Sequence, residues 1–517
     1  MKYLLLFSAL FPCVPALAQM DVGDKIFTGD EIFDAKISAG YLYLFGMGGI
    51  YAADLSADPI VPEKIATFNG NDLRGRLMAS RNWIAATYNQ DGENILAVYD
   101  TSDFDSVQSI LGAKRVYSSI TSEREFERFE YKNFFLDGPI LYYYALGESH
   151  RYDLSTDDLC DFPIDGDASW GYLKIGKEKI FAGHAAYRHV KLDCEDQKRQ
   201  YLEYIVGPMT LTSMEDSNNL MEKYGDKILG GTIGFWDEPG VAHWALGFKL
   251  YDTSRVGEGY LLLENNFNYH ALFIGRYGWA VDGEKQMYDI QDMLVKNGYV
   301  YLSSYFTCSI VSFDASTPWD GSNYAPRTEF SFLEPKEACY CWVPEECYQW
   351  NHPFGMAAAN NKLYVADKDY LYVLRLKRDD EGYPRGNVTS LPAVWSGKIR
   401  IEGWADDGEG IRSVAVRIGR RQYFAEPAGG RHRRPVGNKY YWQADIDLEG
   451  WAGGEYDVKV IAEDMDGDFS IILETQVNIQ KTTSGDSPLG GLPGDDARTW
   501  GRVLRYKVLG RRDNTDN

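Results

Sequence analysis

The feature that most constrains the fold is a strand–turn–strand pattern that recurs seven times along the chain. A short β-rich run meets a turn, and a second run follows, usually ending in Asp and then Ser or Thr. Tyr41–Phe45 turns through Gly46–Gly49 into Ile50–Ser56, and Trp83–Tyr88 turns through Asn89–Asn94 into Ile95–Ser102. The same pairing joins Ile140–Ala145 to His150–Thr156, Lys179–Ala182 to Tyr187–Asp193 and, after a longer insert, Lys227–Gly230 to Leu246–Ser254. Tyr299–Leu302 with Ser309–Ser316, and Lys362–Asp367 with Tyr370–Leu376, complete the series. Units spaced roughly 40 to 70 residues apart fall in the range of propeller blades with insertions. The inner runs are nearly continuously apolar or aromatic, as expected of strands covered on both faces. One sheet cannot bury both its faces alone, whereas sheets packed around an axis can, and they leave only short edges. The expected fold is therefore all-β, a seven-bladed β-propeller over residues 19–378. After Leu376 the seventh unit lacks an outer strand, and Asp24–Thr28 is the segment expected to supply it and close the ring.

The alternation changes after Asp379–Ala393, a Gly-, Pro- and charge-rich stretch that reads as part of a linker over 379–395. Lys398–Ala405 and Ile411–Ile418 alternate apolar with polar residues, and Tyr440–Ile446 and Gly454–Asp464 continue the theme. That is the pattern of half-covered strands in a small sandwich, expected over 396–480. Residues 481–517 turn polar and Gly-rich and are expected to be a flexible tail.

The first residues suggest export. Lys2 is followed by an apolar run from Tyr3 to Val14 and by the small-residue site Ala16-Leu17-Ala18. This is the layout of a signal peptide over 1–18, cleaved before Gln19, and the run is too short for a membrane helix. No later segment reads as a membrane span. The expected location is secreted or periplasmic. A formal net charge of -23 argues against a nucleic-acid partner. It permits cationic ligands or Ca²⁺.

On these residues the chain resembles two families. Lys362–Asp367 and Tyr41–Ser56 are similar to the LVIVD-repeat group of bacterial surface propellers, in which a Tyr-x-Tyr-Val-Ala-like strand precedes one ending in Asp-x-Ser. Gly403-Trp404-Ala405-Asp406-Asp407, Gly410-Ile411, Trp442, Gly454–Val460 and Asp464–Asp468 resemble bacterial immunoglobulin-like domains. The first resemblance implies a fold and little else. The second implies a C-terminal immunoglobulin-like β-sandwich acting as a spacer or presentation module.

Candidate site residues follow from propeller geometry, in which the turns between second and third strands share one face. Asp91, Glu93, Glu148, Asp237, Glu238, Asp367 and Asp369 fall on such turns. An acidic mouth suits a cationic ligand, although Asp and Glu are also ordinary turn residues. The aromatic loop carrying Trp342, Tyr348, Trp350 and His352 is a candidate stacking platform for a sugar or peptide, or else a cap on the ring. Asp464, Asp466 and Asp468, with Asp406, Asp407 and Glu409, offer a candidate Ca²⁺ site at a sandwich end. His184 and His189 are five apart, on opposite faces of a strand, and read as structural.

Six cysteines follow the signal segment: Cys160, Cys194, Cys308, Cys339, Cys341 and Cys347. An even number in an exported chain reads as a disulfide set. Cys308 is expected to pair with Cys339, Cys341 or Cys347, and Cys160 with Cys194. No Ser elbow, P-loop or zincin helix is present. The function expected is that of a non-catalytic extracytoplasmic binding or adhesion protein. It would take a protein or carbohydrate ligand at the propeller face and need no cofactor, Ca²⁺ being the one candidate. The alternatives are a structural scaffold in an exported assembly, or a periplasmic metal-assisted hydrolase or lyase with carboxylates at the mouth.

Overall fold

The computed structural model describes residues 22–67, 75–90, 93–105, 134–145, 148–156, 158–163, 171–175, 179–183, 187–193, 198–205, 221–224, 227–238, 241–252, 263–265, 272–277, 290–304, 309–314, 327–331, 355–376, 382–408, 410–428 and 439–481. Among these every regular element is a strand, and no helix is long and apolar enough to cross a membrane. The strands form successive antiparallel meanders, four of them four- or five-stranded sheets between Phe134 and Ser331. The first strands of the sheets touch in order. Val22–Ser38 meets Gly75–Ser80, then come Phe134–Asp137, Gly171–Ile175, Met221–Tyr224, Ile290–Lys296 and Met356–Ala359, which meets Val22–Ser38 again. Sheets whose inner strands form such a cycle make the arrangement of a β-propeller.

Two long strands join the ends of this cycle. Lys362–Arg375 turns back on itself, since the Leu376 N–H donates to the Asn361 carbonyl. Val22–Ser38 serves two sheets: Val22–Phe27 pairs with Leu374–Tyr370, and Ile32–Ser38 pairs with Gly46–Tyr41. The N-terminal strand thus lies outermost on the sheet begun by Met356–Ala359. Between sheets the apolar runs meet face to face. Tyr43, Phe45 and Ile50 of one pack on Leu77, Ile84 and Ala97 of the next. Leu42, Leu44 and Ile32 pack the other way, on Tyr364, Ala366 and Leu371. Burial on both faces is why these runs are continuously apolar.

A repeated side-chain clamp ties neighbouring inner strands. Register shifts fall between Ile32 and Asp34 and between Ile290 and Asp292. A shift of this kind inserts a residue and re-aims the next side chain. Each aspartate then accepts the following backbone N–H, from Ala35 or Met293, and an N–H of the next inner strand. Leu77 N lies 2.8 Å from Asp34 Oδ2, and Met356 N lies 2.8 Å from Asp292 Oδ2.

The C-terminal unit has two four-stranded sheets. Arg385–Ser390, Lys398–Asp406, Tyr440–Asp447 and Glu426–Pro427 form one; Arg421–Phe424, Ile411–Ile418, Gly454–Asp464 and Phe469–Ile479 form the other. Their inner faces share one core around Trp442, Val414, Val416, Val458 and Val460, all essentially unexposed. The unit begins earlier than the alternation suggests, because Arg385–Ser390 within the expected linker pairs with Asp406–Glu402. This edge strand is short and mostly exposed, so it carries little apolar signal. Gly403 is required where strands and indole crowd together: a Cβ there would lie 2.4 Å from Trp442 Cζ2 and 2.5 Å from the Asn387 carbonyl oxygen. Gly403→Ala should destabilise this unit by about 2–4 kcal/mol, since the backbone oxygen cannot yield. Urea denaturation followed by tryptophan fluorescence checks it.

Candidate functional site

The two faces of the ring differ sharply, and the difference locates the candidate site. On one face lie the turns between first and second strands, at Ala39-Gly40 and Asn360-Asn361, and those after third strands, at Asp54–Ser56 and Thr101–Asp105. The C-terminal unit is seated on this face. Arg417 is 3 % exposed, and its guanidinium lies 3.1 Å from Asp54 Oδ1. It also donates to the Ala39 carbonyl and stacks over the Tyr41 ring, 3.5 Å from its centroid. Burial favours a neutral Asp54, yet Arg417, the Ser56 donors and Lys459 hold its carboxyl below the ordinary range. Glu463 accepts from the Ala39 N–H at 3.0 Å, and Gln422 reaches the Thr101 carbonyl. Backbone bonds join Gln422 to Ser102 and Phe104 to Arg420. Arg421 and Arg420 pair with Asp103, Glu63 and Asp105 at the rim. An apolar contact of Ala359, Ile461 and Phe469, flanked by Ile37 and Leu55, lies within the same junction.

The aspartates proposed for Ca²⁺ meet a different cation. Asp464 Oδ1 accepts the N–H groups of Asp466 and Asp468 at 2.8 and 2.9 Å, as in a tight Asx turn. Lys296, from the ring, places its ammonium 2.8 Å from Asp468 Oδ2 and 3.0 Å from the Asp466 carbonyl. Asp468 also accepts from the Asn360 N–H, while Asn360 Oδ1 accepts from the Phe469 N–H. The cluster thus holds a lysine and joins the unit to the ring. Among the described residues no group of three acidic, His or Cys side chains is arranged to hold a metal ion.

The opposite face carries the tips of the second-to-third-strand hairpins. Of the mouth residues expected from sequence, Glu93 pairs with Gln90, Glu148 with Ala145, and Asp237 and Glu238 with Ala242 and Val241, each beside a hairpin tip. Asp367 is buried and Asp369 exposed, both within the bend of Lys362–Arg375. The turn residue Asp91, the aromatic loop with Trp342, Tyr348, Trp350 and His352, and the residues His184 and Glu409 fall outside the described residues. So do Cys194, Cys308, Cys339, Cys341 and Cys347. Cys160 lies on Asp158–Pro163, opposite Arg151.

The sequence conceals one prominent part of this face. Lys227–Glu238 and Val241–Asp252 pair over 12 residues each, about double the usual blade strand here. The outer half of this hairpin gains Leu272–Tyr277 as a third strand against Ala242–Leu246. At roughly 3.3 Å per residue, the hairpin extends on the order of 20 Å past its six-residue neighbours. Register places Phe235 opposite Trp244 and Trp236 opposite His243. The insert between Gly230 and Leu246 is therefore paired strand, and its signal is the aromatic run on both arms.

Between the faces, the ring's axis holds charge. Lys36 lies 3.0 Å from Asp34 Oδ1 and 3.6 Å from Asp292 Oδ2, and approaches the Met356 carbonyl. Burial pulls against its charge, but Asp292 and Asp34 keep its pKa above the ordinary lysine value. These carboxylates already serve backbone N–H groups and an ammonium, so their chemistry is structural.

No family model matches this chain, and no curated protein matches it. Solved structures do. The N-terminal domain of Nup159 is similar over 69 % of this chain and 95 % of its own, at 10 % identity and a TM-score of 0.42. The extracellular domain of BT4673 from B. thetaiotaomicron is similar over 89 % of this chain, at 10 % identity and a TM-score of 0.35. This chain spans 56 % of that domain's length. The Neurospora crassa Pan2 WD40 domain is similar over 70 % of this chain, at 8 % identity and a TM-score of 0.33.

Proposed function

We propose that this chain is an exported binding protein built as a seven-bladed propeller with an immunoglobulin-like sandwich docked on one face. The opposite face takes a protein or carbohydrate ligand. One observation carries the reading: the chain's own C-terminal unit occupies the face of the first-to-second-strand turns, through at least one buried guanidinium and one buried ammonium. That leaves recognition to the hairpin-tip face, where the long Lys227–Asp252 hairpin stands above the others. Aromatic side chains at such a projection suit sugars and peptides, which offer stacking surfaces and polar edges. The acidic turns Glu148, Asp237, Glu238 and Asp369 favour a ligand with cationic character, and Trp342, Tyr348, Trp350 and His352 belong to the same proposed face. In this reading the sandwich is a fixed base rather than a swinging spacer.

The test is a binding screen of the mature protein, starting at Gln19, on glycan and peptide arrays. It is repeated with a variant in which residues 233–246 are replaced by a two-residue Asn-Gly turn, which keeps Thr232 opposite Gly247. The expected result is a ligand whose affinity falls at least tenfold in the variant while the melting profile is kept. A ligand bound equally by both proteins would place recognition elsewhere.

A further inference from the structure

We propose, resting on the hairpin tips as the recognition face, that the long Lys227–Asp252 hairpin presents an open strand edge above the mouth of the ring and that this edge takes an extended cationic peptide as an added strand. Lys227–Glu238 and Val241–Asp252 pair without a register shift, and two residues join Glu238 to Val241. A two-residue connection bonds the pair that flanks it, and in antiparallel strands bonded and non-bonded pairs alternate. Glu238, Trp236, Gly234 and Thr232 therefore direct their backbone N–H and C=O groups at the Val241–Asp252 strand. Asp237, Phe235, Ile233 and Gly231 direct theirs the other way. The base of the hairpin fixes the same phase independently. Two residues join Tyr224 to Lys227, so Lys227 and Leu229 bond to the Met221–Tyr224 strand. That strand stops where Met221 meets Gly230. Beyond it, among the described residues, no strand pairs with Gly231–Glu238 on this side.

Met221–Tyr224 is the innermost strand of its sheet and touches Gly171–Ile175 and Ile290–Lys296 around the ring's axis. The edge left uncovered past Gly230 therefore faces that axis, above the mouth. The opposite edge of the projecting half is covered, since Leu272–Tyr277 pairs with Ala242–Leu246 there. Exposed strand edges are normally guarded by charged residues, Pro or a covering segment. Gly231–Trp236 contains no charged residue and no Pro, and the covering strand lies on the far side. Gly231, Ile233, Phe235 and Asp237 each offer one donor and one acceptor, over roughly 20 Å of strand. An extended backbone matches such an alternating row along its whole length, and a sugar ring does not. Charge then selects the side chains of the ligand. Asp237 and Glu238 lie at the tip of this edge, Glu93 and Glu148 lie beside other hairpin tips, and Asp369 is exposed in the bend of Lys362–Arg375. A strand carrying Lys or Arg complements these carboxylates, whereas an acidic one is repelled.

The experiment has two stages on the mature protein. Residue-resolved hydrogen exchange of the free protein comes first. The amides of Gly231, Ile233, Phe235 and Asp237 should exchange on the order of a hundredfold faster than those of Thr232, Gly234 and Trp236. Equal protection of the two sets means that the edge is already filled, and overturns the proposal. A random peptide library is then selected on the protein. Its binders should carry Lys or Arg and lose at least about tenfold in affinity for Ile233→Pro, whose ring sits where the added strand must bond. The Ile233 N–H has no partner within the hairpin, so this variant should keep the protection of Gly234 and Trp236. Ile233→Ala should retain binding. N-methylation along the peptide should weaken binding at alternate residues only, a readout that does not depend on any variant folding. A library with no binder, binders equally tight on a folded Ile233→Pro, or N-methyl losses without alternation each overturn the added strand. A glycan that loses affinity when residues 233–246 are replaced, with no peptide that does, overturns the peptide and keeps the recognition face. A ligand indifferent to that replacement removes both.

Discussion

Replacing Arg417 with alanine should release the C-terminal unit from the ring, at a cost of about 3–5 kcal/mol in the stability of the docked chain. The guanidinium is almost wholly buried, and removing it leaves the Ala39 carbonyl without this donor and Asp54 with only Lys459 and the Ser56 donors beside it. It also uncovers the Tyr41 ring, on which the guanidinium stacks. Arg417→Lys should recover only part of the loss. An ammonium keeps the charge but not the planar fork that serves Asp54 and Ala39 together. Scanning calorimetry and limited proteolysis check both variants. The expected picture is one cooperative transition in the wild type and two in Arg417→Ala, with new cleavage near 377–384. A single unshifted transition would show that the junction does not depend on this side chain.

Asp34→Ala should cost a similar amount, about 3–5 kcal/mol, in the ring itself. Asp34 is 1 % exposed and accepts from the Ala35 and Leu77 N–H groups and from Lys36. Without it two buried donors lose their acceptor, and among the described residues Lys36 keeps Asp292 alone as a counter-charge. Asp34→Asn should be intermediate, since an amide oxygen serves one donor while its NH₂ opposes another. Urea unfolding followed by tyrosine and tryptophan emission would measure these. Asp292→Ala removes the equivalent clamp on Met356, and a comparable loss there would mark the two bulges as one device used twice.

The strand periods visible in the sequence correspond closely to local structure. Tyr41–Phe45 and Ile50–Ser56 form a hairpin of Tyr41–Gly46 and Gly49–Asp54, and the segment around Asp24–Thr28 pairs with Lys362–Arg375 as the outermost strand. Both depend on short-range apolar pattern, which one sequence displays well. The junction does not. In Ile411–Ile418 the alternation assigns Arg417 to a wet face, but that face is covered by the ring. Lys296 beside Asn297-Gly298 reads as an ordinary turn lysine, because its partner Asp468 is far along the chain. A polar residue buried by another unit looks the same in sequence as one in water. For the same reason Asp464–Asp468 read as Ca²⁺ ligands: the pattern shows the carboxylates and hides the amine that meets them. The long Lys227–Asp252 hairpin was masked by its glycines, which suggest a loop until Leu272–Tyr277 is seen beside it.

The pairing of Val22–Phe27 with Tyr370–Leu374 has a kinetic consequence. Residues nearly the whole ring apart must meet before the last sheet is complete, so this contact carries the largest loop-closure entropy in the ring. Contacts of such long sequence separation form late and slowly. During synthesis the first strand emerges early but has no mate until Lys362–Arg375 has followed it. Until then the chain carries two exposed strand edges of complementary register, one at each end. At high concentration those edges can pair between molecules as readily as within one, which makes this seam the point where domain-swapped dimers would form.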